Sequence, residues 1–291
     1  MIIDSHAHYS SFRYQNRFPY LDGNSEGLFR NHGTRQELFA HMREEGIVFL
    51  IEPSVRFSDQ ETQLALVREY PSYIGCALGV HPKYCMDAAW DKREKLWEYA
   101  MKNPIVAIGE TGLDYSVPPE KSNRLYQKMW FLYQLRLAHA CSLPLILHIR
   151  EADRDGLQML RNHKDLLHGG VVHCFGGCPK TANAYLELGF VLGIGGKLLQ
   201  TNAEADILKE TVREVPLESL IVETDAPYVL PDLKNVQGSK SQKSNLRNTS
   251  MILPKVIEEI ARLREESPET VEQAVFANTL RVFRLHEKFF L

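Results

Sequence analysis

The amino-acid sequence predicts an α/β fold, a (β/α)8 TIM-like barrel followed by a C-terminal helix. Short, nearly continuous apolar segments recur along the 291 residues, as expected for strands that a parallel sheet buries on both faces. Amphipathic segments with helical periodicity separate these strands. No Gly-rich phosphate turn follows the first strand, which argues against an open doubly wound sheet.

Eight segments are predicted as strands because they are short and rich in Ile, Val and Leu. Pro104 and Pro144 stand at strand starts, where a missing N–H is tolerated. The predicted strands are 2–8, 47–54, 73–80, 104–110, 143–149, 170–174, 190–195 and 219–225.

The intervening segments are predicted as helices because their apolar residues recur with helical spacing. The clearest case carries Leu125, Met129, Leu132, Leu135 and Ala138 along one face. The predicted helices are 34–45, 58–69, 87–102, 120–141, 151–162, 179–188, 203–213, 250–264 and 268–286.

Two connections, 9–33 and 226–249, are longer than the usual link between elements. In a barrel both would be loops on the face where active sites form. The chain has no internal repeat, no low-complexity tract and no linker-like segment, so we expect one barrel domain over residues 1–291.

Bulk composition excludes several classes of protein. The net charge of −3 provides no overall basic field, so any nucleic-acid chemistry must depend on a local site. Five irregularly spaced cysteines argue against a disulfide framework. The chain shows neither a secretory signal pattern nor an apolar stretch of about 18 residues that could span a membrane. We therefore expect a cytoplasmic protein, with no membrane association and no obligate protein partner.

The first strand ends in a His-x-His pair, His6 and His8. Alternate residues of a strand point to one face, so these imidazoles can bind one metal ion together. Other histidines and carboxylates lie at the C-terminal ends of other predicted strands, which meet at one mouth of a barrel. Each of these residues alone has a structural interpretation, such as a helix cap, a turn or an ion pair. Their shared position favours a metal site made by His6, His8, Glu110, His148, His173 and Asp225.

Four histidines and two carboxylates are enough ligands for two divalent ions. Paired ions activate a water and stabilise both the attacking and the leaving oxygen of a displacement. Imidazole and carboxylate ligands without cysteine suit Zn²⁺, Mn²⁺, Fe²⁺ or Co²⁺, whereas a more oxygen-rich set favours Mg²⁺. Zn²⁺, Mn²⁺ and Mg²⁺ all stay open as the cofactor.

Six motifs in order along the chain resemble those of the TatD-type metal-dependent hydrolases and deoxyribonucleases, a family of the amidohydrolase superfamily. Together they are highly specific and span essentially the whole sequence. They are Ile-Asp-Ser-His-Ala-His (3–8), Gly-Val-His-Pro (79–82), Ala-Ile-Gly-Glu-Thr-Gly-Leu-Asp-Tyr (107–115), Leu-Pro-Leu-Ile-Leu-His-Ile-Arg-Glu-Ala (143–152), Val-Val-His-Cys-Phe-Gly-Gly (171–177) and Val-Glu-Thr-Asp-Ala-Pro-Tyr (222–228).

The resemblance implies two ions that share Glu110 as a bridging ligand. Asp225 would orient or deprotonate the attacking water, so it and Glu110 are the expected catalytic residues. The implied substrate is a phosphoester, with DNA or nucleotides as candidates. The first ion would be bound by His6, His8, Glu110 and Asp225, and the second by Glu110, His148 and His173.

Two further residues are candidates for binding the substrate phosphate. By resemblance, His81 contacts the phosphate, although it could instead be a turn residue anchored by Pro82. Arg150, two residues after His148, either donates to a phosphate oxygen or pairs with Asp153.

Other motif residues have supporting interpretations. Glu223 could support a ligand histidine or an arginine. Asp114 and Tyr115 either shape the loop after the fourth strand or simply form a turn. Arg247 and Asn248 resemble a family Arg-Asn element that borders the pocket.

The sequence departs from the family pattern at two places. The 9–33 segment is longer than is typical, and its aromatic and basic residues either line a substrate cleft or pack the loop onto the barrel. After Gly196 the usual residues are replaced by 197–200, Lys-Leu-Leu-Gln. The cleft candidates in the 9–33 segment are Arg13, Tyr14, Arg17 and Phe18.

Two other functions stay open. One is amide or lactone hydrolysis at the same ions, and the other is a non-catalytic barrel.

Overall fold

The computed structural model describes residues 1–24, 27–116, 118, 123–234, 236 and 239–286. Eight of its strands form one parallel sheet whose spatial order follows the chain. In the chain, the first two strands of this sheet are separated by an antiparallel pair, β2 and β3, which forms its own small sheet. The strands are β1 Ile2–Asp4, β2 Phe18–Asn24, β3 Gly27–Gly33, β4 Ile47–Pro53, β5 Ile74–Leu78, β6 Ile105–Asp114, β7 Leu145–Arg150, β8 Gly170–Val172, β9 Phe190–Ile194 and β10 Leu220–Val222.

Hydrogen bonds between the ends of β1 and β10 close this sheet into a cylinder. The Ser5 N–H donates to the Val222 carbonyl (3.1 Å), and the Asp225 N–H donates to the His6 carbonyl (2.8 Å). Ala7 and Ala226 form a parallel bridge beyond them. The predicted (β/α)8 barrel is therefore confirmed.

Each predicted helix corresponds to an observed one, with shifted ends. The predicted helix 87–102 begins later, after a 3-10 helix over Pro82–Asp87, and residues 120–122 lie outside the described part of the chain. None of the helices in the described residues is long and apolar enough to cross a membrane. The helices are α1 Arg35–Glu44, α2 Gln60–Glu69, α3 Lys92–Lys102, α4 Arg124–Cys141, α5 Asp153–Asn162, α6 Pro179–Leu186, α7 Ala203–Glu214, α8 Lys240–Ser244, α9 Leu253–Arg264 and α10 Pro268–Phe283.

Several strands are shorter at their carboxyl ends than the apolar pattern predicts. The segments 170–174 and 219–225 were expected to be extended throughout, but Cys174 and Asp225 adopt positive φ angles of 50° and 54°. Backbone in this left-handed region leaves the sheet. The chain turns there, so the side chains after the strands can converge over the mouth of the barrel.

The barrel interior is filled by small and branched side chains from the strands, and α10 packs across β1, β8 and β10. Phe276 and Phe283 of α10 join this inner cluster. A larger apolar layer packs the helices against the outside of the sheet. The strand residues of the inner cluster are Ile3, Phe49, Ile51, Ala77, Ala107, Ile146, Val171, Val191 and Ile221.

The 9–33 segment is not an irregular loop, as the sequence led us to expect. It contains a 3-10 helix over Phe12–Tyr14 and the β2–β3 hairpin. The Leu21 N–H donates to the Arg247 carbonyl (2.8 Å), and the Arg247 N–H donates to the Pro19 carbonyl (3.2 Å). The hairpin is thus held by the other long connection, which is distant in sequence.

Candidate metal centre

A first group of candidate ligand atoms gathers where β1 and β10 end. Nε2 of His6 and Nε2 of His8 lie 3.2 Å apart. Asp225 Oδ1 is 3.3 Å from His8 Nε2 and 3.7 Å from His6 Nε2. Glu110 Oε2 faces the same two nitrogens, at 3.5 Å from His6 and 3.7 Å from His8.

A second group forms around the other oxygen of Glu110. Its Oε1 lies 2.9 Å from His148 Nδ1 and 3.0 Å from His173 Nε2. These two nitrogens are 3.2 Å apart. The structure therefore brings all six predicted ligands together, and the Glu110 carboxylate lies between the two groups.

A buried carboxylate holds the first group in place. Asp4 Oδ1 accepts the N–H of His6 (3.1 Å), while its Oδ2 accepts the hydroxyl hydrogens of Thr224 and Ser250 (2.6 Å each). Burial, partly offset by these hydrogen bonds, raises the pKa of Asp4 to about 7. Asp4 thus ties the His-x-His turn to the residue before Asp225. This role was not predicted from the sequence, although Asp4 is part of the first quoted motif.

In three of the histidines, the ring nitrogen that points away from the candidate ligand atoms, here called the outer nitrogen, faces a protein oxygen. His8 Nδ1 lies 3.1 Å from the Pro53 carbonyl, and His148 Nε2 lies 3.2 Å from Asp114 Oδ2. His173 Nδ1 lies 3.3 Å from Glu223 Oε1. An oxygen at the outer nitrogen favours the tautomer whose inner lone pair points into the site, and it orients the ring for metal binding. Asp114 was not identified as such a partner from the sequence.

The spacing and charge of these atoms fit metal ions. Ligand bonds of about 2.1 Å in tetrahedral geometry separate neighbouring ligand atoms by about 3.4 Å, which matches the distances above. Burial alone would raise the pKa of Glu110, but the surrounding histidines hold it well below its ordinary value. Burial likewise opposes a charge on His8, yet the Asp225 and Glu110 carboxylates raise its pKa to about 9. The carboxylates thus favour positive charge in this buried site, which a proton on His8 carries without an ion and which a metal ion would carry after displacing that proton.

His81 adds a polar group beside the bridging position. Its Nε2 is 3.3 Å from Glu110 Oε1, and its Nδ1 accepts the N–H of Lys83 (2.9 Å). Burial, together with the nearby His148, lowers the pKa of His81 to about 4, so the ring is neutral. A neutral ring that accepts at Nδ1 carries its proton on Nε2, which faces the site.

Arg150 lies at the open side of the second group. It lines a cavity of about 570 Å³ together with Lys197, His148, His173 and Asp225. Asp153, the alternative partner that the sequence offered, instead accepts the Tyr185 hydroxyl at 3.0 Å. Arg150 is therefore an exposed residue in the wall of the cavity that also reaches His148 and His173.

Arg247 and Asn248 tie loops together. The Asn248 amide donates to the carbonyls of Thr224 (2.9 Å) and Val229 (3.2 Å), which bracket Asp225. Arg247 Nε donates to the Arg13 carbonyl (3.1 Å). These contacts hold the turn that carries Asp225 against the 9–33 segment.

The four cleft candidates of the 9–33 segment lie in different surroundings. Tyr14 and Phe18 are buried, and the Tyr14 hydroxyl donates to the Asn248 carbonyl (2.6 Å). Arg17 pairs with Glu37 at 3.1 Å on the surface. Among the four, Arg13 alone lines a second cavity beside the ligand atoms. Tyr14 and Phe18 therefore pack the segment onto the barrel, whereas Arg13 lines a cleft.

Gly193 of β9 makes room for the carboxylate behind His173. A Cβ at this position would overlap Glu223 Oε2. We expect Gly193→Ala to lower the free energy of unfolding by about 1–3 kcal/mol, because overpacking forces neighbouring atoms apart. Chemical denaturation would measure the change. Gly176→Ala is the matched control, since its Cβ would meet only the flexible Lys197 side chain, with Nζ at 3.4 Å. Equal stability of the two variants would contradict this interpretation.

Comparison with known proteins identifies the family. The family model described as "TatD related DNase" matches residues 3–284. The "3'-5' ssDNA/RNA exonuclease TatD" of Yersinia pseudotuberculosis serotype O:3 (strain YPIII) is 33% identical over 244 residues, 84% of this chain and 90% of the relative. The metal-dependent hydrolase YabD of Bacillus subtilis (strain 168) is 28% identical over 286 residues, 98% of this chain and 100% of the relative.

Solved structures share the fold. YJJV, a TatD homolog from Escherichia coli K12, superposes with a TM-score of 0.79 at 25% identity, covering 98% of both chains. A TatD family hydrolase from Entamoeba histolytica, 22% identical, gives a TM-score of 0.76 over 98% of both chains. With the family model spanning nearly the whole sequence, the chain belongs to the TatD related DNase family and is a metal-dependent hydrolase.

Proposed function

We propose that the protein is a nuclease that hydrolyses phosphodiester bonds in single-stranded nucleic acid with the help of two divalent ions. The observation that carries this proposal is the Glu110 carboxylate, whose Oε2 faces His6 and His8 while its Oε1 faces His148 and His173, with His81 beside them. A carboxylate shared in this way is the arrangement that a pair of ions requires. The TatD relatives named as exonucleases on ssDNA and RNA support the choice of substrate.

In this proposal the first ion is held by His6, His8, Glu110 and Asp225. The second is held by Glu110, His148 and His173. Bound divalent ions would lower the pKa of a water and neutralise charge on a phosphate oxygen. The histidine-rich set suits Zn²⁺ or Mn²⁺, and Mg²⁺ stays a candidate because carboxylates are also present.

The remaining steps belong to side chains of the protein. Asp225 lines the cavity of Arg150 and also faces His6 and His8, so its carboxylate is placed to accept a proton from the attacking water. His81 would donate its Nε2 hydrogen to a phosphate oxygen. Arg150 and Lys197 would bind the negative charge of the same phosphate.

The alternative reaction at the same ions is hydrolysis of an amide or a lactone. Glu151, Asp153 and Glu204 line the cavity as well, so positive charge comes only from Arg150, Lys197 and the ions. The side chains of the cavity are therefore net negative, and an anionic phosphate is favoured over a neutral amide or lactone only through direct contact with Arg150, Lys197 and the ions. A non-catalytic barrel is disfavoured, because the complete ligand set is preserved with Asp225.

A substrate screen tests this proposal directly. The purified protein would be incubated with Mn²⁺, Mg²⁺ or Zn²⁺ and with bis(p-nitrophenyl) phosphate, single-stranded oligonucleotides, amides and lactones. We expect hydrolysis of both phosphodiesters, loss of activity with a chelator and recovery on adding metal. Hydrolysis of amides or lactones alone would overturn the substrate assignment, and activity that persists after complete chelation would overturn the role of the ions.

His173→Ala should remove the second ion before the first. The variant loses a nitrogen that lies 3.0 Å from Glu110 Oε1 and 3.2 Å from His148 Nδ1, while the direct contacts of Asp225 with His6 and His8 stay. Metal analysis after dialysis should find one ion per chain in the variant and two in the parent. His163→Ala is the control, because His163 caps α5 away from the site. Equal loss of both ions, or no loss, would contradict the proposed division.

A further inference from the structure

A second cavity, of about 410 Å³, lies on the other side of the ligand atoms. We call it the arginine cleft and define it by Phe12, Arg13, Arg56, Tyr84 and Tyr228. His8 also lines it, whereas His148, His173 and Asp225 line the cavity of Arg150. The proposed metal centre is therefore flanked by two cavities. The proposed function gives no role to the arginine cleft.

Two guanidinium groups of this cleft are held over tyrosine rings. The Arg56 guanidinium lies 4.2 Å from the centre of the Tyr84 ring, and that of Arg13 lies 5.3 Å from the centre of the Tyr228 ring. Arg56 also forms a side-chain hydrogen bond with Tyr84. A guanidinium has five N–H donors, so stacking and one such bond leave others at its edge for an anion. The Arg13 guanidinium forms no ion pair with a carboxylate within the described residues. It is therefore available to a ligand.

The other charged group of the cleft does not cancel the positive charge of the two arginines. Asp59 also lines it and lies near Arg56, but its carboxylate accepts the Ser58 hydroxyl at 2.9 Å. Two arginines against one aspartate leave a net positive charge before any metal ion is counted. An anionic group is the ligand that this balance favours.

Phe12 gives the cleft an open aromatic face. Its side chain is 74% exposed, although the neighbouring Tyr14 and Phe18 are buried. The ring lies at the wall of the cleft beside Arg13, so it is accessible to a flat group bound there. Nucleobases stack on such rings with little sequence preference.

We propose that the arginine cleft binds the nucleotide next to the scissile phosphate, with Arg13 and Arg56 on its phosphate and Phe12 under its base. This assignment rests on the proposed nuclease function and deepens it. Openings on both sides of the ligand atoms suit a strand that passes through the centre, rather than a lone phosphate. The ligand is therefore a single-stranded oligonucleotide. Since Phe12 and Arg13 come from the long 9–33 segment, that segment sets the preference for a strand.

The experiment compares two substrates in the metal-loaded protein. Bis(p-nitrophenyl) phosphate has no neighbouring nucleotide, whereas a short single-stranded oligonucleotide does. For Arg13→Ala with Arg56→Ala, we expect the ratio of kcat/KM on the oligonucleotide to that on the small diester to fall about tenfold or more. The dependence of log KM on log salt for the oligonucleotide should weaken by about 0.7 for each phosphate that the protein no longer neutralises. Phe12→Ala should lower the ratio, and Phe12→Tyr should restore it.

Arg17→Ala is the control for the Arg13 half of the double variant, because it removes one positive charge from the same segment at a surface pair with Glu37. It should keep both the ratio and the salt dependence. Truncating Arg13 leaves its backbone in place, since the bond from Arg247 Nε ends on the Arg13 carbonyl. Fluorescence anisotropy of a labelled oligonucleotide with Asp225→Asn provides a binding measurement that does not need turnover.

The outcomes separate the two proposals. Unchanged ratio, salt dependence and anisotropy in the double variant would overturn the assignment of the cleft while leaving the nuclease function intact. An equal loss in Arg17→Ala would also overturn it, because a general charge effect would then explain the result. Absence of hydrolysis on both phosphodiesters would instead overturn the nuclease function, and the binding measurement would still decide whether the cleft holds a strand.

Discussion

Asp225→Asn should lower kcat for phosphodiester hydrolysis by about 10²–10⁴-fold, the range expected when a general base is lost. The amide is similar in size but cannot accept the proton of the attacking water at neutral pH. The substitution suits the backbone, because Asp225 has a φ of 54° and Asn tolerates the left-handed region well. The hydrogen bond from its backbone N–H to the His6 carbonyl also stays.

The measurement combines steady-state kinetics with metal analysis and circular dichroism on the same preparation. We expect a folded variant with an unchanged melting temperature and a strongly reduced kcat. Asp225→Ala is a useful comparison, because Ala is costly at positive φ and should also lower stability by about 1 kcal/mol. Parent-level turnover in folded, metal-loaded Asp225→Asn would refute the assigned role.

Glu110→Gln should weaken the binding of both ions at once. Each oxygen of Glu110 faces a different pair of histidines, so one substitution affects both groups. Losing even an outer-sphere partner costs about 10–100-fold in metal affinity. Losing the shared ligand should therefore lower the product of the two metal affinities by at least about 10²–10⁴-fold. Hydrolysis should fall to background at metal concentrations that saturate the parent protein.

Titration calorimetry with Zn²⁺ or Mn²⁺ would measure this loss, with elemental analysis as a second readout. Glu98→Gln is the matched control, because Glu98 is an exposed residue of α3 whose carboxylate pairs with Lys102. Two ions bound to Glu110→Gln with parental affinity would contradict the bridging role. Loss of one ion alone would assign Glu110 to a single group.

The proposed ligands were visible in the sequence because each lies at the carboxyl end of a strand that the local pattern predicts. Continuous apolar segments identify buried strands, and parallel strands in a barrel end at one mouth. His6, Glu110 and His148 could therefore be placed together without knowing any distance between them. The quoted motifs then added the expected division between two ions.

The contacts behind these ligands could not be predicted in the same way. Asp4 meets Ser250, and Asp114 meets His148, across many residues of chain. No local periodicity reports such pairs, because they depend on how the closed sheet sets the register of its strands. The β2–β3 hairpin escaped prediction for the same reason, since it is held by Arg247 from the last long connection.

The sequence by itself determined the barrel, the family and the set of polar residues at the strand ends, because strand burial and motif identity are local properties of the chain. Only the tertiary structure decided how Glu110 divides its oxygens, which nitrogen of each histidine faces inward, and that Arg13 rather than Arg17 enters a cleft. These outcomes depend on angles and distances between segments far apart in the chain, which closure of the barrel alone sets.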